Sequence, residues 1–343
     1  MRRLLNTLFV LTEDSYLSLD GENVVLNREK AEMARFPLHT LENILCFSYP
    51  GASPALMGAC VRRGIGLAFF TPRGRFLARA GGPVQGNVLL RQQQYRVSDD
   101  PAASTQYAKG FILGKVYNGR WVLERATRDH PQRVPVERLK ELSGQMAAGL
   151  GRIEAAATLD ELRGEEGGAG ARYFHGFDSL ILQQKETFAF TVRSRRPPLD
   201  PVNALLSFAY TLLANDCASA LEGVGLDPYV GFMHRPRPGR ASLALDLMEE
   251  LRPVVADRMV LSCINQKMLS ARHFERQESG AVLMTDEGRR AFLQAWQQRK
   301  QQTIQHPFLG EKVPWGLVPH LQALLLARAL RGDLERYPPF FWK

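Results

Sequence analysis

Apolar and polar positions change rhythm once along this chain. In roughly the first ninety residues, apolar residues come in short runs separated by turn-forming clusters. Leu4–Thr12 reads as a strand, and Tyr16–Leu19 and Val24–Leu26 flank Asp20-Gly21-Glu22-Asn23, the composition of a hairpin turn. Ile44–Phe47, Gly66–Phe70 and Phe76–Ala80 are further strand runs, the last two on either side of Pro72-Arg73-Gly74. One short helix interrupts them, with Ser53 to cap it, Pro54 at its first position and Gly64 to end it. After the polar Val97-Ser98-Asp99-Asp100-Pro101, apolar residues recur at three and four instead. That spacing predicts helices over Tyr107–Arg120, Val136–Ala157, Leu243–Met268, Asp286–Gln302 and Val318–Leu330. Another starts at Pro201 behind an Asp200 cap, with Val202, Leu205, Leu206, Ala209, Leu212 and Leu213 along one stripe. The expected fold is α+β: an N-terminal antiparallel β domain with one short helix over residues 1–96, then a larger, mostly α-helical domain over 97–343.

Composition narrows the class. A length of 343 residues fits two domains, and 45% hydrophobic with 23% charged residues excludes wholesale disorder. Lys and Arg number 44 against 35 Asp and Glu, a balance of +9 that permits a polyanionic partner without requiring one. Cys46, Cys60, Cys217 and Cys263 form no CxxC pair, which argues against a disulfide framework or a cysteine zinc site and for a reducing compartment. Arg2 and Arg3 precede an apolar run, but Asn6 and Thr7 break it and Glu13 and Asp14 follow, unlike an export signal. The apolar stretch Pro201–Ala214 meets Asn215-Asp216 short of the ~20 residues a bilayer needs. A soluble, cytoplasmic protein without membrane attachment is expected.

One histidine of the seven has surroundings that suggest a site. His234 lies in Gly231-Phe232-Met233-His234-Arg235-Pro236-Arg237-Pro238-Gly239-Arg240, a loop by its prolines and glycines and locally positive. In the helix that follows, Asp246 precedes Glu249 by three residues and Glu250 by four, so these acids share a face. An imidazole facing such carboxylates supplies nitrogen and oxygen ligands for a divalent metal. The competing account is a capping-box-like pattern on a solvated helix face. Upstream, Gly164-Glu165-Glu166-Gly167-Gly168-Ala169-Gly170 sets two acids among small residues, which let a bulky ligand approach closely. First-turn acids at a helix N-terminus would give the same pattern.

Taken together, the segments resemble a known family. Gly164-x-Glu166-Gly167-x-Ala169, Pro197-Pro198-x-Asp200-x-x-Asn203-Ala204-Leu205-Leu206-Ser207, His234 and Leu245-Asp246-Leu247-x-Glu249 are similar to the CRISPR-associated integrase, the nuclease-integrase subunit of the spacer-acquisition complex. Pro37-Leu38-x-x-Leu41-Glu42-Asn43-Ile44, Gly64-Ile65-Gly66-Leu67 and Gly114-Lys115-Val116-Tyr117-Asn118 also look like that family, and Arg328–Trp342 is similar to its type I-C branch. The resemblance implies that Glu166, His234 and Glu249 are the metal ligands, with glutamate at the last position where many members have aspartate. Asp246 would be a nearby acid orienting water or a substrate hydroxyl, and Glu165 and Glu250 are neighbours able to exchange roles with these choices.

Oxygen-rich ligation with one imidazole suits Mg2+ or Mn2+. Such an ion polarises a phosphodiester and positions an attacking hydroxyl, giving strand transfer when the attacker is a DNA 3′-hydroxyl and hydrolysis when it is water. Arg235, Arg237 and Arg240, then Arg193, Arg195 and Arg196, are the expected phosphate contacts. The function expected is a metal-dependent DNA endonuclease and integrase that inserts short duplex DNA into a CRISPR array in antiviral defence. The resemblance implies homodimers, formed through a dimerisation or partner surface in residues 1–96 and bridged by a small ferredoxin-like CRISPR-associated partner. An auxiliary processing nuclease is left open. The alternatives are a stand-alone structure-selective endonuclease in repair and a non-catalytic DNA-binding scaffold.

Overall fold

The structure is a computed structural model that describes residues 7–29, 31–72, 76–82 and 88–343. Leu4–Asn6 of the first expected strand and Arg73-Gly74 of a later turn lie outside the described residues. The chain divides into two compact units, Met1–Gln85 with Arg289–Gln301, and Gly86–Gly288 with Gln302–Lys343.

In the first unit, strand β1 (Thr7–Val10) precedes an antiparallel meander of β2 (Ser15–Asp20), β3 (Asn23–Arg28) and β4 (Ala31–Pro37). Asp20 pairs with Asn23, so Gly21 and Glu22 form the two-residue loop the sequence indicates, and Gly21 takes the positive φ (55°) that such a turn needs. Strand β5 (Asn43–Cys46), helix α1 (Pro54–Arg63), β6 (Gly66–Phe70) and β7 (Phe76–Arg79) follow. Ser53 Oγ caps α1 by accepting from Leu56 N, and Gly64 ends it at φ 68°. Antiparallel strand sheets ahead of a mostly helical part are the α+β class expected. The second sheet, in the order β1-β5-β6-β7, adds two parallel pairs, β1 with β5 and β5 with β6. Strand runs do not encode direction: α1 is the crossover that returns the chain parallel. Leu17, Val24, Leu38, Ile44, Leu56 and Leu67 are wholly buried between these elements, each contributing about 1.5–3 kcal/mol.

The second unit is built on helices. They are α2 (Val88–Asp99), α3 (Pro101–Asp129), α4 (Val136–Ala155), α5 (Leu159–Phe177), α6 (Pro201–Gly223), α7 (Ser242–Leu251) and α8 (Arg258–Asn265). The hairpin β8 (Phe274–Arg276) and β9 (Val282–Met284) leads to α9 (Asp286–Gln301), most of which belongs to the first unit. The hairpin β10 (Thr303–Gln305) and β11 (Lys312–Pro314) leads to α10 (Val318–Arg331). The polar stretch Val97–Pro101 closes α2, and Asp100 caps α3 by accepting from Ala102 N and Ala103 N. The helix expected over Leu243–Met268 is not continuous: Arg252–Asp257 widens into a π-helical turn between α7 and α8. Pro253 offers no N–H for a regular ladder there. Among the described residues, α6 is long and apolar enough to cross a membrane, yet 67% of its most apolar window is buried.

Candidate active site

Helix α5 runs through Gly164, Gly167, Gly168 and Gly170, so Glu165 and Glu166 are mid-helix and the first-turn acids are Asp160 and Glu161. Each interior glycine costs a helix about 1 kcal/mol relative to alanine. At Gly164, Gly167 and Gly170, apart from adjacent residues and the backbone of the helix itself, nothing lies within 4 Å of where a Cβ would stand. Here the small residues leave open space beside a carboxylate. Glu165 is tied to Arg152 at 2.8 Å, whereas Glu166 pairs with the Lys115 ammonium of α3.

The same ammonium lies 2.8 Å from Glu249 Oε2 on α7. Asp246, Glu249 and Glu250 are all buried, which removes the solvated-face account, and α7 is capped at Ala241 without any side-chain bond, which removes the capping box. Burial alone would raise the Glu249 carboxyl, but Arg252 (3.0 Å), Lys115 and His234 together hold it at about 2, so it is ionised. His234 Nε2 lies 3.9 Å from Glu249 Oε1.

Asp246 organises the His234 loop. Its Oδ2 accepts from Phe232 N (2.6 Å) and Met233 N (3.0 Å), and its Oδ1 from His234 N (3.0 Å) and His234 Nδ1 (2.5 Å). Both oxygens are thus engaged twice, and one of the four donors is the His234 imidazole. A carboxylate only accepts, so Nδ1 carries a hydrogen and Nε2 is the ring nitrogen on the Glu249 side. Gly231 makes the approach possible, since a Cβ there would meet Asp246 Oδ2 at 2.8 Å. Glu250, next to Glu249, joins a different environment. It accepts from the Tyr337 hydroxyl, from Gln322 Nε2 (2.9 Å) and from Phe340 N (2.7 Å), and burial pushes its carboxyl up to about 7.

Lys115, Glu166, Tyr173, Arg193, Tyr210 and Arg252 are among the residues lining a cavity of about 560 Å³. No three His, Cys, Asp or Glu side chains among the described residues are gathered tightly enough to hold a metal ion as they stand. The Lys115 ammonium sits between Glu166 and Glu249 and shows that this position favours a cation. Two carboxylates and one free imidazole nitrogen are a donor set that fits a divalent ion.

Comparison with known proteins decides the family. The model for "CRISPR associated protein Cas1" matches residues 8–298. The CRISPR-associated endonuclease Cas1 2 of Rhodospirillum rubrum is 54% identical to this chain, over the whole length of both. The chain belongs to the CRISPR-associated Cas1 family. A Cas1 protein from Thermotoga maritima has the same fold, with a TM-score of 0.82 at 22% identity over 95% of this chain and 97% of that one. A casposase bound to integration product also shares it, with a TM-score of 0.83 at 22% identity over 98% and 93%.

Two residues of this Cas1 chain beside the carboxylates escaped the sequence analysis as functional candidates. Lys115 lies within the Gly114–Asn118 resemblance segment, but nothing local marks a helical lysine as distinct. Arg252 had a usable signal, since it follows Glu249 by three residues on a helical path. Of the six arginines expected at phosphate, Arg193 is bound to Asn203 Oδ1 (2.7 Å) and Ser207 Oγ (3.2 Å) and lies over the Tyr210 ring. Arg195 lines the cavity and is exposed, as are Arg196, Arg235 and Arg237, and Arg240 is half-buried.

Proposed function

We propose that this Cas1-family protein is a metal-dependent DNA endonuclease and integrase, which joins short duplex DNA to a CRISPR array by 3′-hydroxyl transesterification during adaptation. The reading is supported most by one arrangement: Glu166 and Glu249 share the Lys115 ammonium, with the His234 imidazole, bonded to Asp246, beside Glu249. Glu166, Glu249 and His234 Nε2 would hold Mg2+ or Mn2+. Bound there, the ion would polarise a phosphodiester and favour an attacking oxygen. Asp246 fixes the ring so that Nε2 remains a ligand. Arg252 balances Glu249 and keeps it ionised inside the protein. The Nε–H donors of Arg193 and Arg252 are buried without an acceptor, which suits phosphate oxygens entering the cavity. Arg195, Arg196, Arg235, Arg237 and Arg240 supply charge for the DNA backbone, a sequence-independent contact that weakens steeply with salt.

The partners proposed are duplex fragments and repeat DNA, a second copy of the chain engaged through residues 1–96, and a small ferredoxin-like CRISPR-associated protein, all in the cytoplasm. The domain boundary at 96/97 belongs to the same proposal. The test is joining of a labelled duplex with a free 3′-hydroxyl to supercoiled plasmid in Mn2+, with and without the small partner. Glu166→Ala, His234→Ala and Glu249→Ala should each abolish joining and leave DNA binding largely intact. Hydrolysed ends without joined strands would favour the stand-alone nuclease, and unchanged joining in all three variants would end the proposal.

A further inference from the structure

Glu250, next to Glu249, and Asn118, three residues after Lys115, both bond to a segment distant in sequence. Tyr337–Lys343 lies against the site-bearing helices α3 and α7 and against α10, and several of its polar groups are bonded there. The Tyr337 hydroxyl and Phe340 N donate to Glu250, and Gln322 of α10 donates to both Glu250 and the Tyr337 oxygen (2.7 Å). Asn118, three residues after Lys115 on α3, donates to Glu250 O and Phe340 O (both 2.7 Å) and accepts from Trp342 N (2.9 Å). Phe340 is wholly buried, and the Trp342 ring lies under Arg125 and Arg258 at 4.2 and 4.5 Å. Lys343 Nζ stands over the Trp121 ring.

The fit is tightest directly beside the site. At Gly114, the residue before Lys115, a Cβ would stand 2.6 Å from Glu250 Cβ and 3.5 Å from Pro339 Cβ. At Gly110, one turn earlier, it would stand 2.9 Å from the Tyr337 ring. Two helices thus meet at backbone distance, with Glu250 in the seam and Tyr337–Phe340 closing it. Glu250 cannot shift without moving Glu249, because they are consecutive in one helix, and Asn118 cannot shift without moving Lys115.

We propose that Tyr337–Lys343 is a strap that positions the candidate active site, with Glu250 and Asn118 as its anchors. This rests on the reading of Glu166, His234 and Glu249 given above. The strap touches none of the reacting groups. It fixes the relative place of Glu249 and Lys115, and small displacements of such groups lower turnover more than substrate binding.

The experiment uses the full chain and three variants: Tyr337→Phe, Glu250→Gln, and Ile153→Ala in α4 as a destabilised control away from the site. Cleavage of branched DNA in Mn2+ is measured well below the melting temperatures, with Mn2+ affinity by calorimetry. The two strap variants should lose about tenfold in kcat through misplacement of Glu249 and Lys115 and bind Mn2+ more weakly, while KM for DNA stays within about twofold. Ile153→Ala should melt earlier with kcat unchanged. Strap variants that melt early but keep wild-type kcat and Mn2+ affinity would overturn the proposal. Wild-type protein that neither cleaves nor binds Mn2+ would instead remove the underlying function. Hydrogen exchange then decides the strap by itself. Tyr337→Phe should speed exchange in Ser242–Leu251 and Gly114–Asn118 but not in α4, and equal rates in those segments would refute it.

Discussion

Glu249 and Glu250 are neighbours in one helix, both buried, and the protein treats them oppositely. Around Glu249 stand two cations, Lys115 and Arg252, and its carboxyl falls to about 2. Around Glu250 stand a phenol, an amide and a backbone N–H, and its carboxyl rises to about 7. Burial penalises both charges, so the difference lies in what replaces water. Full charges on the site side keep a carboxylate ionised and ready for a cation. Neutral donors on the far side satisfy the oxygens and lock the helix, without the field needed to keep the group charged.

The largest effect expected from disturbing the site side short of a ligand is at Asp246. Asp246→Asn keeps the size but turns one of the two oxygens that hold His234 and its loop into a donor, and activity in Mn2+ should fall about 10–100-fold with DNA affinity retained. A variant as active as wild type would show that the imidazole needs no orienting partner. On the far side, Gly114→Ala drives a methyl against Glu250 Cβ. Overpacking of that kind costs about 1–3 kcal/mol, read as a lower denaturation midpoint in urea. An unchanged midpoint would mean the seam between α3 and α7 yields easily.

The smallest effect tests the rule about neutral donors. Asp257 accepts from the Tyr173 hydroxyl (3.0 Å) and the Tyr210 hydroxyl (2.7 Å), and burial raises its carboxyl to about 6 despite these bonds and the charges of Arg252 and Arg193. The folded protein therefore holds this proton more tightly than the unfolded chain does. Its contribution to stability is complete below the ordinary value of 3.8 and is lost as pH rises through about 6. Melting temperatures measured from pH 4 to 7 should show the wild type losing ground to Asp257→Asn across that window. A constant difference between the two proteins would place Asp257 with Glu249 rather than with Glu250.

Much of this was legible in the chain itself. Ser53, Pro54 and Gly64 bound α1, Asp20–Asn23 turns the hairpin, and Asp200 caps α6 by accepting from Asn203 N, because caps and turns are satisfied by residues a few positions away. His234 and the acids of α7 could be picked out for the same reason: one loop and the next helix carry them. Helix α5 was harder, since four glycines within seven positions argue against a helix until surrounding elements supply the packing.

The rest depended on contacts between distant residues. Nothing local distinguishes Glu165 from Glu166, or Glu249 from Glu250. Each pair is resolved by partners far along the chain: Arg152 takes Glu165, Lys115 takes both Glu166 and Glu249, and Tyr337 takes Glu250. The parallel pairing of β5 with β6 and the seam at Gly114 have the same origin. Sequence by itself determined where elements start and stop and which residue types were at hand, because propensity and capping act over a few residues. Tertiary structure decided which carboxylate is charged and which is locked, because desolvation and Coulomb attraction depend on neighbours in space.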